Sequence, residues 1–382
     1  QITAVERQGT RVPLSFAQQR LWFLDRLDEG SAHYNMPLAV RVSGRFDVAV
    51  AEQAFRHIIE RHEPLRTVFG SDGDQVWQEI RDRVDFTITQ VELSHLGVDE
   101  REERARDLAR VDAGRSFDLS RDVMLRASFV RFSDRDGVLL FNVHHIASDG
   151  RSGNILVEEF IAQYEAIRTG RGNPLPPLTI RYADYAQWQR NWLTGEVLER
   201  QLGYWQRQLL DLPPVHSLPL SRPRPAQASF RGARYPFGIN AATHQSLRRL
   251  VQERQATLFM VLHAAVSVLL SRHSNSSDIV IGTPVANRMQ KELEDIIGFF
   301  VNTLVLRADC SGNPSFVDYL ERIKTVHLEA QSNQDVPFEY LVERLKPERS
   351  TQYNPLFQIA FALESEVGDG AIQLQDVQFS PV

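Results

Sequence analysis

The chain has 382 residues, 42% of them hydrophobic and 24% charged, and 43 basic side chains against 49 acidic ones give a net charge of −6. The length favours two lobes over a single core, the composition is that of a soluble globular protein, and the charge balance argues against a nucleic-acid binder. No run approaches the ~18 apolar residues of a membrane span, QITAVERQGTRVPLSF lacks the apolar stretch of a signal peptide, and Cys310 as the sole cysteine excludes an internal disulfide or a multi-cysteine zinc site, so a reducing, cytoplasmic location is expected.

In chain order, DVAVAEQAFRHIIERH (47–62) has helical apolar spacing with Asp47 as N-cap. LRTVF (65–69) and DFTITQVEL (85–93) read as strands and 99–110 as an exposed helix. VMLRASFVRF (123–132) and VLLFNVHH (138–145) read as two strands joined by SDRDG. A helix face follows at Ile155, Leu156, Phe160, Ile161, Tyr164 and Ile167. RTGRGNPLPPL (168–178) is the best linker, which places a boundary at 173/174. Helices are expected around 183–195, 197–210, 241–254, 257–272 and 314–330. DIVIGTPVA (278–286), FFVNTLVLR (299–307) and LFQIAFAL (356–363) read as strands. Helices and strands mix without strict alternation, so the expected class is α+β, an open α/β sandwich. No dinucleotide or Walker glycine pattern supports a nucleotide cofactor.

FNVHHIASDG (141–150) carries the chemistry. In a regular strand, neighbouring side chains point to opposite faces, so His144 and His145 cannot share a pocket. The same geometry and the lack of HExxH or a third ligand argue against a metal. The bland reading is a pair of strand-end histidines satisfied by backbone. Against it stand the histidine pair, the Asp149-Gly150 turn and a helix directly after, since strand–turn–helix junctions expose side chains where active sites are built. Histidine also exchanges protons near neutral pH.

HHIASDG (144–150) resembles the signature of non-ribosomal peptide synthetase condensation domains, within the superfamily of chloramphenicol acetyltransferase. Further segments are similar to the family's other motifs in order: SFAQQRLWFL (15–24), RHEPLRTVF (61–69), YADYAQWQ (182–189), IGFFVNTLVLR (297–307), NQDVPFE (333–339) and RSTQYNPLFQIAF (349–361). The resemblance implies two chloramphenicol-acetyltransferase-like lobes in a V, here 1–173 with the HHxxxDG motif and 174–382, the second expected to be incomplete at its C-terminal end. It implies an acyltransferase in which a carrier-bound aminoacyl amine attacks a carrier-bound acyl or peptidyl thioester. The partners implied are donor and acceptor peptidyl carrier domains and an adjacent adenylation domain, with no nucleic acid or membrane and a monomeric domain. No cofactor is expected on the domain itself, the 4′-phosphopantetheine arms belonging to the carriers.

Carried over position by position, His145 is the residue expected to act on the amine, as a base or by positioning it, and His144 points away. Asp149 is expected to form a structural ion pair, with Arg61 the first candidate partner and Arg66 the second. Gly150, Arg151, Ser152, Asn302 and Thr303 are expected along the substrate tunnel, with Gly150 leaving room for a pantetheine arm. A turn needing positive φ is the plainer reading of Gly150, and a polar strand end that of Asn302 and Thr303. Arg151 departs from the aromatic or aliphatic residue usual after the Asp-Gly. Tyr185, Trp188 and Trp192 have the spacing of a packed helix face, and Gln334, Asp335 and Glu339 are expected to cap and brace a helix near Pro337. The rival readings are an epimerisation domain of the same fold, disfavoured by GFFVNT and NQDVPFE, and a catalytically inert docking module.

Overall fold

The computed structural model describes residues 2–5, 9–27, 32–226, 232–348, 350–364 and 371–382. They divide into two compact units, one drawn from Gln1–Trp192, Arg288–Val301 and Ser365–Val382, the other from Leu193–Asn287 and Asn302–Glu364. The first contains β1 (Arg11–Val12), α1 (Phe16–Leu27), β2 (Asn35–Gly44), α2 (Val48–Arg61), β3 (Thr67–Asp72), β4 (Gln75–Ile80), β5 (Thr89–Glu92), α3 (Val98–Gly114), β6 (Leu125–Ser133), β7 (Asp136–His144), α4 (Gly150–Arg168) and α5 (Tyr182–Trp192). The second contains α6 (Gly195–Gln208), α7 (Ala241–Glu253), α8 (Leu258–Ser274), β8 (Asp278–Val285), β9 (Asn302–Asp309), α9 (Phe316–Ser332) and α10 (Phe338–Leu345). The chain then returns to the first unit with β10 (Ile372–Gln373) and β11 (Val377–Pro381).

The main sheet of the first unit has the order β10-β11-β2-β7-β6-β5. Among its described strands, only β5 and β6 pair in parallel. β7 is central and apolar on both faces, which is why its sequence shows a continuous run instead of alternation. Leu139, Phe141 and Val143 join Phe55, Ile58 and Ile59 of α2 and Ile155, Leu156 and Phe160 of α4 in one core. Val138 and Leu140, one residue out of phase, join Val130 and Phe132 of β6 and Ala105 of α3 in another. Helices therefore cover both faces, the open α/β sandwich expected. α2 shows how local signals build this: Asp47 accepts from the Ala49 and Val50 N–H groups, and Ala51, Ala54, Phe55, Ile58 and Ile59 form the buried stripe. Each large side chain buried this way stabilises the unit by about 1.5–3 kcal/mol.

The second unit pairs β8 with β9 antiparallel, from Asp278 opposite Asp309 to Val285 opposite Asn302. Met260 and Val261 of α8 and Tyr319, Leu320 and Ile323 of α9 pack on Ile279 and Ile281. Thr257 caps α8 by accepting from Met260 N–H.

Several expectations need correction. The 173/174 boundary does not coincide with this partition, because α5 packs inside the first unit through Tyr182, Tyr185 and Phe300. LFQIAFAL makes only a single bridge, Ala360 to Gly282, and not a strand. An ideal Cβ on Gly282 would lie 2.2 Å from the Phe357 ring, so side-chain packing sets the path of that segment. Glu63–Arg66 is a short 3-10 turn, which delays the strand expected from 65 to Thr67. Of the motif expected at 349–361, Arg349 lies outside the described residues.

Candidate active site

β7 ends at His144, and a 3-10 turn over His145–Ala147 leads into α4. His144 is fully buried and continues the even-numbered face of β7, where Asn142 also donates to the Asp112 carbonyl of α3. Its Nδ1 accepts from the Ile146 N–H at 3.0 Å, which puts the proton of the neutral ring on Nε2. That Nε2 has no hydrogen-bond partner among the described residues. Burial, reinforced by the neighbouring His145 and Arg126, lowers the His144 pKa to about 3, so the ring stays neutral.

His145 is only partly buried. Its Nδ1 lies 2.7 Å from the Ser148 carbonyl oxygen. A carbonyl only accepts, so Nδ1 carries the proton and Nε2 keeps its lone pair. The ring packs edge-on against Phe299, 4.7 Å between centroids. One hydrogen bond and one aromatic wall thus fix a histidine whose remaining nitrogen can accept a proton or a hydrogen bond.

Asp149 is the N-cap of α4 and 1% exposed. Its Oδ1 accepts from the Ser152 N–H (2.9 Å), the Ser152 hydroxyl (2.8 Å) and Arg288 Nη2 (3.0 Å), and its Oδ2 accepts from the Phe300 N–H (3.2 Å). A carboxylate so fully engaged braces the turn. The partner is Arg288, neither Arg61 nor Arg66. Arg61 pairs with Glu159 at 2.9 Å, and Arg66 is held by the Arg81 and Glu60 carbonyls. Arg288 also donates from Nη1 to the Leu293 and Ile296 carbonyls and lies 4.1 Å above the Phe300 ring. Nothing local in ANRM marks this arginine, 139 residues from its partner.

The segment 297–300 is clamped from three sides. Ser152 Oγ accepts from Gly298 N–H at 3.0 Å. His62 Nδ1 accepts from Ile297 N–H at 3.2 Å, while its Nε2 faces Glu159 at 2.8 Å. Burial lowers the His62 pKa against the opposing pull of Glu159, so the ring is neutral with Nε2 donating to the carboxylate. Tyr182 donates to the Phe299 carbonyl at 2.5 Å and meets Ser15 Oγ at 2.8 Å. Gly298 is required here, because an ideal Cβ on it would lie 2.1 Å from the Tyr182 ring. The segments at 15, 61–62, 149–152, 182 and 297–300 thereby meet around Phe299, the wall against His145. Sequence reasoning missed Arg288, His62, Tyr182 and Gly298 as members of this cluster.

Gly150 is the first residue of α4, its φ is not positive, and an ideal Cβ on it meets nothing within 4 Å. The turn therefore does not need glycine; open space lies there instead. Arg151 is exposed, and Ser152 is fully buried as a brace rather than a lining residue. Asn302 and Thr303 belong to the second unit. Asn302 donates to the Gln334 and Val336 carbonyls, both at 2.8 Å, and accepts from Phe338 N–H at 3.1 Å. Its amide holds the start of α10, whose N-cap Pro337 offers no side-chain bond. Asp335 accepts from Gln201 of α6 instead of capping α10. Thr303 pairs with Pro284 across β8 and β9. Tyr185 is buried, while Trp192 stacks on Trp188 and remains 36% exposed.

A mixed sheet covered by helices, with His145 in the turn between β7 and α4, is the setting in which HHIASDG lies. A family model described as Condensation domain matches residues 8–380. The chain belongs to the condensation-domain family. It is 46% identical over 365 residues to one of the linear gramicidin synthase proteins of Brevibacillus parabrevis, a match that spans 96% of this chain and 7% of that protein. It is 42% identical over 353 residues to phosphinothricin tripeptide synthetase PhsC of Streptomyces viridochromogenes, spanning 92% of this chain and 32% of that one. Among solved structures it resembles the X-domain from teicoplanin biosynthesis, with a TM-score of 0.83 and 32% identity over 94% of this chain and 78% of that one. The chain thus spans a small part of the curated relatives it matches.

Proposed function

We propose that this chain forms amide bonds by condensing a carrier-bound acyl or peptidyl thioester with a carrier-bound aminoacyl amine. The observation that carries this reading is the His145 tautomer: Nδ1–H is committed to the Ser148 carbonyl, so Nε2 presents a lone pair. The amine nitrogen attacks the thioester carbon, His145 Nε2 takes the proton that nitrogen sheds, and the C–S bond breaks as Nε2 returns that proton to the departing sulfur of the donor carrier's thiol. The phosphopantetheine arms are substrate, supplied by donor and acceptor carrier domains, with an adenylation domain of the same cytoplasmic synthetase loading the acceptor. The open space at Gly150 fits an arm that must run close to the backbone.

A second reading is favoured by one observation. The X-domain that this chain resembles has also been solved in complex with OxyB, and a recruiting role without chemistry fits that likeness. Mixing the purified chain with a loaded donor carrier and a loaded acceptor carrier, then resolving the acceptor arm by mass spectrometry, separates the readings. An acceptor mass raised by the donor acyl group supports condensation. An unchanged mass with carriers still bound supports recruitment, and an unchanged mass with an inverted α-carbon, seen by chiral chromatography of the released residue, supports epimerisation.

A further inference from the structure

His145 is held by its backbone as well as by its ring. Its N–H donates to the Tyr34 carbonyl at 2.8 Å, which carries the pairing of β2 with β7 one step past Asn35 and His144. Tyr34 is fixed in turn by the residue that follows it. Asn35 N–H donates to the Ala32 carbonyl at 3.1 Å and closes the turn in which Tyr34 sits. The Asn35 side chain reaches α3, where Nδ2 donates to the Ala113 and Arg115 carbonyls, both at 2.8 Å. Those carbonyls belong to the end of α3. A helix leaves its last carbonyls without partners of its own, and the last turn of α3 carries no basic side chain to serve them. Strand side chains serve them instead. Arg126 of β6 donates to the Asp112, Arg115 and Ser116 carbonyls, and Asn142 of β7 to that of Asp112. Arg126 stands opposite Asn142, and Asn35 opposite His144. Three adjacent strands therefore grip α3 at the end where β7 delivers His145, and Asn35 is the donor next in sequence to the carbonyl that His145 uses.

We infer that Asn35 is a positioning residue for amide formation, an inference that rests on the condensation reading. By holding the Tyr34 carbonyl against the end of α3, it sets where the backbone of His145 lies and so where Nε2 is presented. An amide suits the task because one nitrogen supplies two N–H donors, whereas a carboxylate of the same shape supplies none. A shift of about 1 Å in a reacting group costs about a hundredfold in rate, and the two bonds of Asn35 hold the Tyr34 end of β2 against a shift of that size.

The test compares the parent chain with Asn35→Ala, Asn35→Asp and Ala105→Gly, using loaded donor and acceptor carriers. Ala105 is the buried residue of α3, and glycine there weakens the helix in its middle while Asn35 stays in place. Both Asn35 variants should lose about ten- to a hundredfold in kcat, with KM for either carrier within about twofold of the parent's. Ala105→Gly should keep the parent kcat at a lowered thermal midpoint. Imidazole nitrogen-15 shifts of His145, assigned with the help of His145→Ala, give a readout that needs no turnover. The parent should show a protonated Nδ1 and a bare Nε2, and both Asn35 variants should show shifts averaged between the two tautomers. Parent kcat or parent shifts in either Asn35 variant, or an equal kcat loss in Ala105→Gly, overturns the inference. A fixed tautomer that is lost in the Asn35 variants of a chain making no amide would support the positioning role and contradict condensation.

Discussion

Arg288 Nη2 lies 3.0 Å from Asp149 Oδ1, and both side chains are nearly inaccessible to water. This pair, with Ser152 and the Phe300 N–H, ties the turn that orients His145 to the segment that supplies its aromatic wall. Removing one member leaves the other charge buried and unpaired, a loss of roughly 3–5 kcal/mol. Asp149→Ala and Arg288→Ala should each lower the free energy of chemical unfolding by that order, and the double variant should lose far less than the sum. Asp149→Ala with Arg61→Ala should be additive, because Arg61 serves Glu159. Strong coupling in the Arg61 cycle and none in the Arg288 cycle would reverse the assignment.

The two glycines of the site should respond oppositely to alanine. Gly298→Ala drives a methyl into the Tyr182 ring and should cost about 1–3 kcal/mol. Gly150→Ala meets open space at the start of a helix and should change stability little, or raise it by about 0.4–1 kcal/mol through the unfolded chain. Gly150→Trp should keep the melting temperature of Gly150→Ala yet lose carrier-bound acceptor turnover. Differential scanning calorimetry beside the carrier assay checks all three.

Acid should destabilise the fold through its buried histidines. Burial lowers His144 to about 3 in the first unit. In the second, His263 Nδ1 and His327 Nε2 lie 2.8 Å apart, and burial lowers them to about 3 and about 4. The unfolded chain takes up these protons near pH 6.5 and the folded chain does not. The stabilisation is complete above pH 6.5 and falls by about 1.4 kcal/mol per pH unit per histidine as pH drops towards the folded values. Urea unfolding at pH 7 and pH 5.5 should show this slope, and His263→Leu combined with His327→Met should reduce it to the share that His144 carries.

Much of this site is written in local sequence. Strand alternation separates His144 from His145, and Asp47 with its apolar stripe announces α2. What stays hidden depends on long-range pairing. Arg288 has no sequence signal because its role comes from a partner 139 residues away. FFV (299–301) has strand composition yet forms no ladder: Phe299 gives its carbonyl to Tyr182 and Phe300 its N–H to Asp149. β2 escapes a sequence reading because Pro37 and the closing Gly44 break the usual strand pattern, and it forms through pairing with β7 from Asn35–His144 to Ser43–Asp136. LFQIAFAL shows the opposite failure, an apolar run whose side chains pack without building a strand.

The most direct measurement of the central claim is the single-turnover rate of amide formation from loaded donor and acceptor carriers, for the parent chain and for His145→Ala. The Nε2 lone pair is the group assigned to the amine, so the variant should lose at least about a hundredfold in rate, with a thermal midpoint close to that of the parent. A His145→Ala chain that keeps most of the parent rate would contradict the account.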